Sequence, residues 1–194
     1  MRVLLLFCHP VETSYHAALH RAAKVALEAA GHAVDDLDLY REGFDPVLSR
    51  EERIGYHDTP HNCAAVQPYV DRLLAAEALV LCFPVWNFGP PAMLKGFLDR
   101  VLLPGVAFEL GDDGTLTPTL QHIHTLAAVT SYGRPRWAAW WMGDPPRKLI
   151  KRQLRHLVRP RARVRYLAHY AIDASTDASR RRFLERVEQT MASL

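Results

Sequence analysis

Only three cysteines occur among the 194 residues, and no two are spaced Cys-x-x-Cys. That argues against a disulfide scaffold. The ten histidines never adopt a His-Glu-x-x-His pattern. The nearest approaches to a ligand set are His122 with His124, and His57 with His61 beside Asp58, so no metal site is expected. Neither Gly-x-Gly-x-x-Gly nor a Walker lysine motif is present, which removes support for a classical dinucleotide fingerprint or a P-loop kinase. Ser14 or Ser131 with His9 could imitate a hydrolase pair, but no Gly-x-Ser-x-Gly elbow accompanies either. With 10 Gly and 13 Pro, the chain is not a linker or a collagen-like polymer. No apolar run approaches the roughly 18 residues of a membrane span, so an integral membrane protein is not expected. The opening Met1 to Phe7 has one positive charge and an apolar run that ends at Cys8-His9-Pro10, with no small-residue cleavage site. We read it as a first strand and not a signal peptide, with cytoplasmic residence as the default expectation.

What is present suits one α/β domain over residues 1–194. Apolar residues make up 49% of the chain and charged residues 23%, and this length can bury roughly 70% of its unfolded surface. The charge is uneven. Residues 1–146 hold 11 Lys/Arg against 17 Asp/Glu, whereas residues 147–194 hold 13 against 4. Arg147 to Arg165 carries nine cations and no acid. A basic patch is the footprint of nucleic-acid binding, but no zinc-finger, GXXG or aromatic-interleaved pattern accompanies it. Leu149, Ile150, Leu154, Leu157 and Val158 recur at helical spacing, so the stretch reads as an amphipathic helix with a solvated basic face. No stable nucleic-acid partner is expected.

Residues 2–8 form a continuous apolar run, the pattern of a strand covered on both faces. Ala17, Ala18, Ala22, Val25, Ala26 and Ala29 mark a helix over 14–30, with Gly31 at its end. A second strand is expected over 32–39. Residues 41–62 are polar and turn-rich, longer than an ordinary connection, and suggest a functional excursion or short helical turns. A helix over 64–76, strands over 78–83, 122–129 and 162–168, and a last helix over 178–191 complete the plan. Five strands alternating with helices imply an open doubly wound sheet that binds ligands beyond the strands' carboxyl ends.

Three strand ends could supply a site. After the first come Thr13 and Ser14, which could receive a phosphate at a helix start or simply cap it. After the third comes Phe83-Pro84-Val85-Trp86-Asn87-Phe88-Gly89-Pro90-Pro91, with Pro90 or Pro91 suited to the first turn of the next helix. Its aromatics would either face a planar heterocycle or fold into a local core. After the fourth come Thr130, Ser131, Tyr132 and Gly133, followed by the Trp137 to Met142 cluster, better suited to packing or a subunit surface than to a cofactor. Cys8 and Cys82 read as small buried hydrophobes, and Cys63 is unassigned.

These blocks resemble the flavodoxin-like NAD(P)H:quinone oxidoreductases, the group that includes diaphorases, modulators of drug activity and potassium-efflux ancillary reductases. The likeness rests on Thr13-Ser14-Tyr15-His16, on Asp38-Leu39-Tyr40 with Phe44 to Ser49, and above all on Phe83 to Phe97 with Asp99-Arg100-Val101. It implies a three-layer fold with a five-stranded parallel sheet in the order 2-1-3-4-5 and helices on both faces. It places His9, Thr13, Ser14, Tyr15 and His16 by the phosphates of a flavin. Pro84, Val85, Trp86, Asn87 and Phe88 would lie along the flavin ring, with Thr130, Ser131 and Gly133 at its pyrimidine side. Arg180 and Leu184 match positions at the adenine end of FAD, which favours FAD over FMN. NADH or NADPH would be the cosubstrate and a quinone the acceptor. A homodimer with sites at the subunit interface is implied, and the 137–141 cluster and the 41–62 excursion are candidate contact surfaces.

One departure matters. Diaphorases follow their glycine-rich run with a tyrosine and then a histidine, whereas here Tyr132 interrupts the run and no histidine precedes His156. Tyr132 and Trp137 are left as residues that could line the substrate cavity. The alternatives are a flavin-binding accessory subunit of an ion-efflux system with weak reductase activity, a nucleic-acid module, and a flavin-free structural domain.

Overall fold

The computed structural model describes residues 1–194. Strands β1 (Arg2–Phe7), β2 (Ala33–Asp38), β3 (Ala78–Val85), β6 (Thr125–Tyr132) and β7 (Arg163–His169) form one parallel sheet in the order β2-β1-β3-β6-β7. This is the expected 2-1-3-4-5 arrangement of core strands. The two labels skipped in that order belong to a hairpin, β4 (Phe108–Leu110) with β5 (Leu116–Pro118), which the sequence reading missed. Gly111 to Gly114 forms its turn rather than leading straight into the fourth strand: Gly114 N–H donates to the Gly111 carbonyl, and Gly114 has φ +79°.

Alternation within the strands builds two cores. Leu4, Leu6, Leu79, Leu81, Leu126 and Ala128 face α3 (Gln67–Ala75) and α4 (Ala92–Val101). Val3, Leu5, Val80, Ala127 and Val129 face α1 (Tyr15–Ala29) and α8 (Asp177–Ala192). Each fully buried aliphatic side chain contributes about 2 kcal/mol, so a sheet apolar on both faces needs a helical layer on each.

Helix α1 starts where expected because the Ser14 hydroxyl accepts from Ala17 N–H at 3.1 Å. It ends at Gly31, φ +80°, whose N–H donates to the Glu28 carbonyl. The 41–62 excursion holds α2 (Arg50–Ile54), with a capping box between Ser49 and Glu52. Glu52 then accepts from Arg100 of α4 at 2.6 Å. Gly96 of α4 lets Pro46 press against that helix. The excursion is therefore docked onto the body of the protein.

Two strands were displaced from their expected bounds. The third runs on to Val85, so Pro84 and Val85 are strand residues and not loop residues. Pro84 is tolerated because the Cys82 carbonyl already takes the last N–H offered from the β1 side, and Pro84 faces the same side beyond the end of β1. The fourth begins at Thr125, because residues 121–124 form the turn that enters it. Thr130, Ser131 and Tyr132 thus end the strand instead of following it. Pro90 and Pro91 precede α4, with Pro91 as its N-cap.

After α5 (Arg136–Trp141), the basic stretch from Arg147 to Arg165 folds mainly as a continuous helical run, α6 (Pro145–Lys148), a π-helical turn over Leu149–Leu154 and α7 (Arg155–Leu157), and ends in β7. No helix is long and apolar enough to cross a membrane.

Candidate functional site

The chain winds from β1 to β2 on one side, then crosses to β3 on the other. The crevice between the ends of β1 and β3 is the switch point where open α/β sheets bind ligands. The loop after β1 and the turn after β3 meet there, with the His9 and Trp86 rings 5.8 Å apart.

Trp86, Asn87, Phe88 and Gly89 form a two-residue hairpin turn. Trp86 N–H donates to the Gly89 carbonyl at 3.1 Å, and Gly89 N–H donates back at 2.8 Å. Asn87 and Phe88 have φ of 49° and 60°. Asparagine visits this left-handed region readily, but phenylalanine does so at a cost of roughly 1–3 kcal/mol. The N–H groups of Asn87 and Phe88 have no acceptor within the chain. Trp86 is 42% exposed, so it does not fold into a local core, and Phe88 is half-buried. The turn thus places two free donors beside an exposed aromatic side chain.

The start of α1 lies alongside. Ser14 spends its hydroxyl on capping, while the N–H groups of Thr13, Tyr15 and His16 lack acceptors, a disposition that receives anions. His9 Nδ1 accepts from Val11 N–H at 3.0 Å, and burial lowers its pKa. Tyr15 turns its hydroxyl to His169 Nδ1 at 3.0 Å and to the Arg180 carbonyl. Burial, opposed by the nearby Arg180, pushes Tyr15 up to about 12. Arg180 Nε donates to Ser175 Oγ, and Leu184 is half-buried against the α1–α8 core. Tyr15 of α1 and Arg180 of α8 therefore stand side by side at one edge of the molecule.

Three side chains stand elsewhere than expected. His16 is buried and bonded through Nε2 to Ser131 Oγ at 2.9 Å. Burial, aided by His9, lowers its pKa to about 3. His16 and Ser131 thus hold α1 to β6, and only their backbones could meet a ligand. Tyr132 is also interior. Its hydroxyl reaches Asp144 Oδ1 at 2.6 Å and the Tyr166 hydroxyl at 2.5 Å, with burial raising its pKa well above normal. This corrects the expectation that Tyr132 lines a substrate cavity. Trp137, Trp140 and Trp141 remain on the surface, at 67%, 77% and 76% exposure.

The sequence reading passed over His169, which links Tyr15 to Ser179 Oγ on α8 and stacks on Phe183. Its only signal was a histidine one residue past an expected strand. The hydroxyls of Thr130 and Tyr170 are buried and without partners.

A sequence model of the family described as "Flavodoxin-like fold" matches residues 1–191. The chain belongs to this flavodoxin-like family. Among relatives of this flavodoxin-like chain, NAD(P)H dehydrogenase (quinone) 1 of Rattus norvegicus is 30% identical over 148 residues, covering 68% of this chain and 54% of the relative. The uncharacterised NAD(P)H oxidoreductase YcaK of Escherichia coli (strain K12) is 31% identical over 144 residues, covering 74% and 65%. The chain spans about half to two thirds of the length of the curated relatives it matches. The crystal structure of Smu.1420 from Streptococcus mutans UA159 superposes with TM-score 0.87 at 29% identity, covering 100% of both chains.

Proposed function

We propose that this protein is a flavin-dependent NAD(P)H oxidoreductase that reduces a quinone or similar acceptor. The observation that carries the proposal is the Trp86–Gly89 turn at the switch point, with its strained Phe88 and two unpaired N–H groups. Strain held at a ligand edge is a recurrent mark of a preorganised site. The names of the relatives support the same chemistry.

A flavin bound here would supply two-electron relay between nicotinamide and acceptor. The chain's own part is positional and electrostatic. Trp86 offers a flat apolar face, and the N–H groups of Asn87 and Phe88 face a polar ring edge, where they would stabilise negative charge. The free N–H groups of Thr13, Tyr15 and His16 would hold the diphosphate. Arg180, whose carbonyl accepts from the Tyr15 hydroxyl, and Leu184 one helical turn further on favour FAD over FMN. Tyr132 does not replace the missing tyrosine–histidine pair, because its hydroxyl is committed to Asp144 and Tyr166.

A homodimer forms part of the proposal. Trp137, Trp140 and Trp141 form an exposed aromatic surface, and a groove between the excursion, α4 and the 145–157 helix is lined by Leu48, Tyr56, Leu98, Phe108 and Leu149.

The test is to release the chromophore from purified protein and identify it by chromatography and mass, then to measure NAD(P)H oxidation with and without menadione. Bound FAD and menadione-stimulated oxidation are expected. A protein that is colourless and stays so when flavin is added would sink the reading.

A further inference from the structure

We propose that a second, strongly basic cavity, linked to the neighbourhood of the Trp86–Gly89 turn through an adjoining hollow, binds the phosphates of the dinucleotide cosubstrate and selects its 2′-phosphorylated form, NADPH. The inference rests on the reductase reading above and names the cosubstrate that reading leaves open.

The cavity, about 440 Å³, is lined by Arg136, Arg147, Lys148, Lys151 and Arg152. None of the five stands within ion-pair distance of a carboxylate. By contrast, Arg72 and Arg100 are each satisfied by acidic partners. The one carboxylate in the lining, Asp144, is engaged by the Tyr132 hydroxyl. Five cations without a carboxylate partner around one concavity repel one another, even though Arg147 also stacks on the Tyr166 ring, and that repulsion is relieved by a polyanion.

Position identifies the kind of polyanion. A neighbouring hollow of about 570 Å³ shares Gly143, Lys148 and Arg152 with the basic cavity and is also lined by Pro90, the residue that follows the Trp86–Gly89 turn. A ligand with one end against that turn can therefore extend its other end among the cations. Charge fits as well. A diphosphate bridge carries about one negative charge per phosphate, and a further phosphomonoester adds about two at neutral pH. The added monoester brings the ligand close to the surplus of four positive charges that the lining presents. Trp140, exposed at the rim, offers an aromatic face to an adenine.

The local backbone is shaped for this role. Lys151 and Arg152 lie within the π-helical turn Leu149–Leu154, a distortion that recurs at functional sites. Gly143, φ +80°, lies against Lys148, and a β-carbon there would come within 3.3 Å of Nζ.

The test uses the holoprotein and two probes, adenosine 2′,5′-bisphosphate and AMP, in calorimetric titrations at low and high salt. Wild type should bind the bisphosphate at least about tenfold more tightly than AMP, with the difference shrinking as salt rises. Lys148→Gln/Arg152→Gln should lose that discrimination, and Arg136→Gln, on the separate helix α5, should reduce it. Circular dichroism melting reports whether each variant is folded. Equal affinity of wild type for the two probes would overturn the proposal, as would folded variants that keep the discrimination. Tighter binding of a short DNA duplex than of the bisphosphate would overturn it in favour of a nucleic-acid surface. Flavin content is read from the same samples, so a colourless protein that still discriminates between the probes counts against the reductase reading and not against this site.

Discussion

Acidification offers a direct measure of the buried contact between α1 and β6. His16 is 3% exposed, bonded to Ser131, and has a folded pKa of about 3, against about 6.5 when unfolded. Between those values the unfolded chain binds a proton that the folded chain refuses. Stability from this residue is therefore complete above pH 6.5 and is lost as pH falls toward 3. At pH 5 the loss is about 2 kcal/mol relative to pH 7.5. With a urea dependence of about 2 kcal/mol/M for a chain of this size, the midpoint should move by about 1 M. The control is His16→Gln, which keeps a polar group near Ser131 but cannot titrate. His169 is also lowered, by burial and by Arg180, and pushes in the same direction. It is present in both proteins and cancels in the difference. Asp36 is raised by burial but held down to about 2 by His20 and Lys24, so it does not titrate over this range. Urea midpoints measured at pH 7.5, 6 and 5 should diverge between wild type and variant. Parallel curves would show that His16 is not the buried neutral group described here.

Three further outcomes are expected. Gly96→Ala should destabilise by about 3 kcal/mol in urea melts, since its β-carbon would fall 2.1 Å from the Pro46 carbonyl oxygen and the excursion would have to lift from α4. Phe88→Gly should raise stability by about 1 kcal/mol by relieving the left-handed strain, while loosening the turn and lowering flavin occupancy measured by absorbance. Arg180→Ala should weaken FAD more than FMN in fluorescence titrations, and equal losses would remove Arg180 from the adenine end.

The fold was legible because its signals are local and redundant. Apolar runs at Val3–Phe7 and Ala78–Phe83 are strand-length and bounded by turn residues, and Ser14 and Gly31 bracket α1. The hairpin over 108–118 escaped because its strands are three residues long and exposed at Glu109 and Leu110, too short for alternation to register. The two strand shifts share one cause. A strand inside a parallel sheet is bounded by its neighbours' pairing, and Val85 pairs with Tyr132 well past the last residue that looks like strand on hydrophobicity alone.

That pairing also explains why the site was only half legible. Sequence order located the loops correctly, since a parallel sheet delivers every strand end to one edge. It could not say which side chains at that edge point outward. Alternation sends Ser131 toward α1, where His16 waits, and sends Tyr132 to the opposite face, where Asp144 and Tyr166 take its hydroxyl. A shift of three residues in the start of β6 converts both from loop residues open to a ligand into strand residues committed to the core. The turn at Trp86 escaped that ambiguity because Gly89 and two prolines end the strand whatever its register. The donors that the sequence does fix at this edge are accordingly backbone ones, the N–H groups of Asn87 and Phe88, and not side chains chosen for polarity.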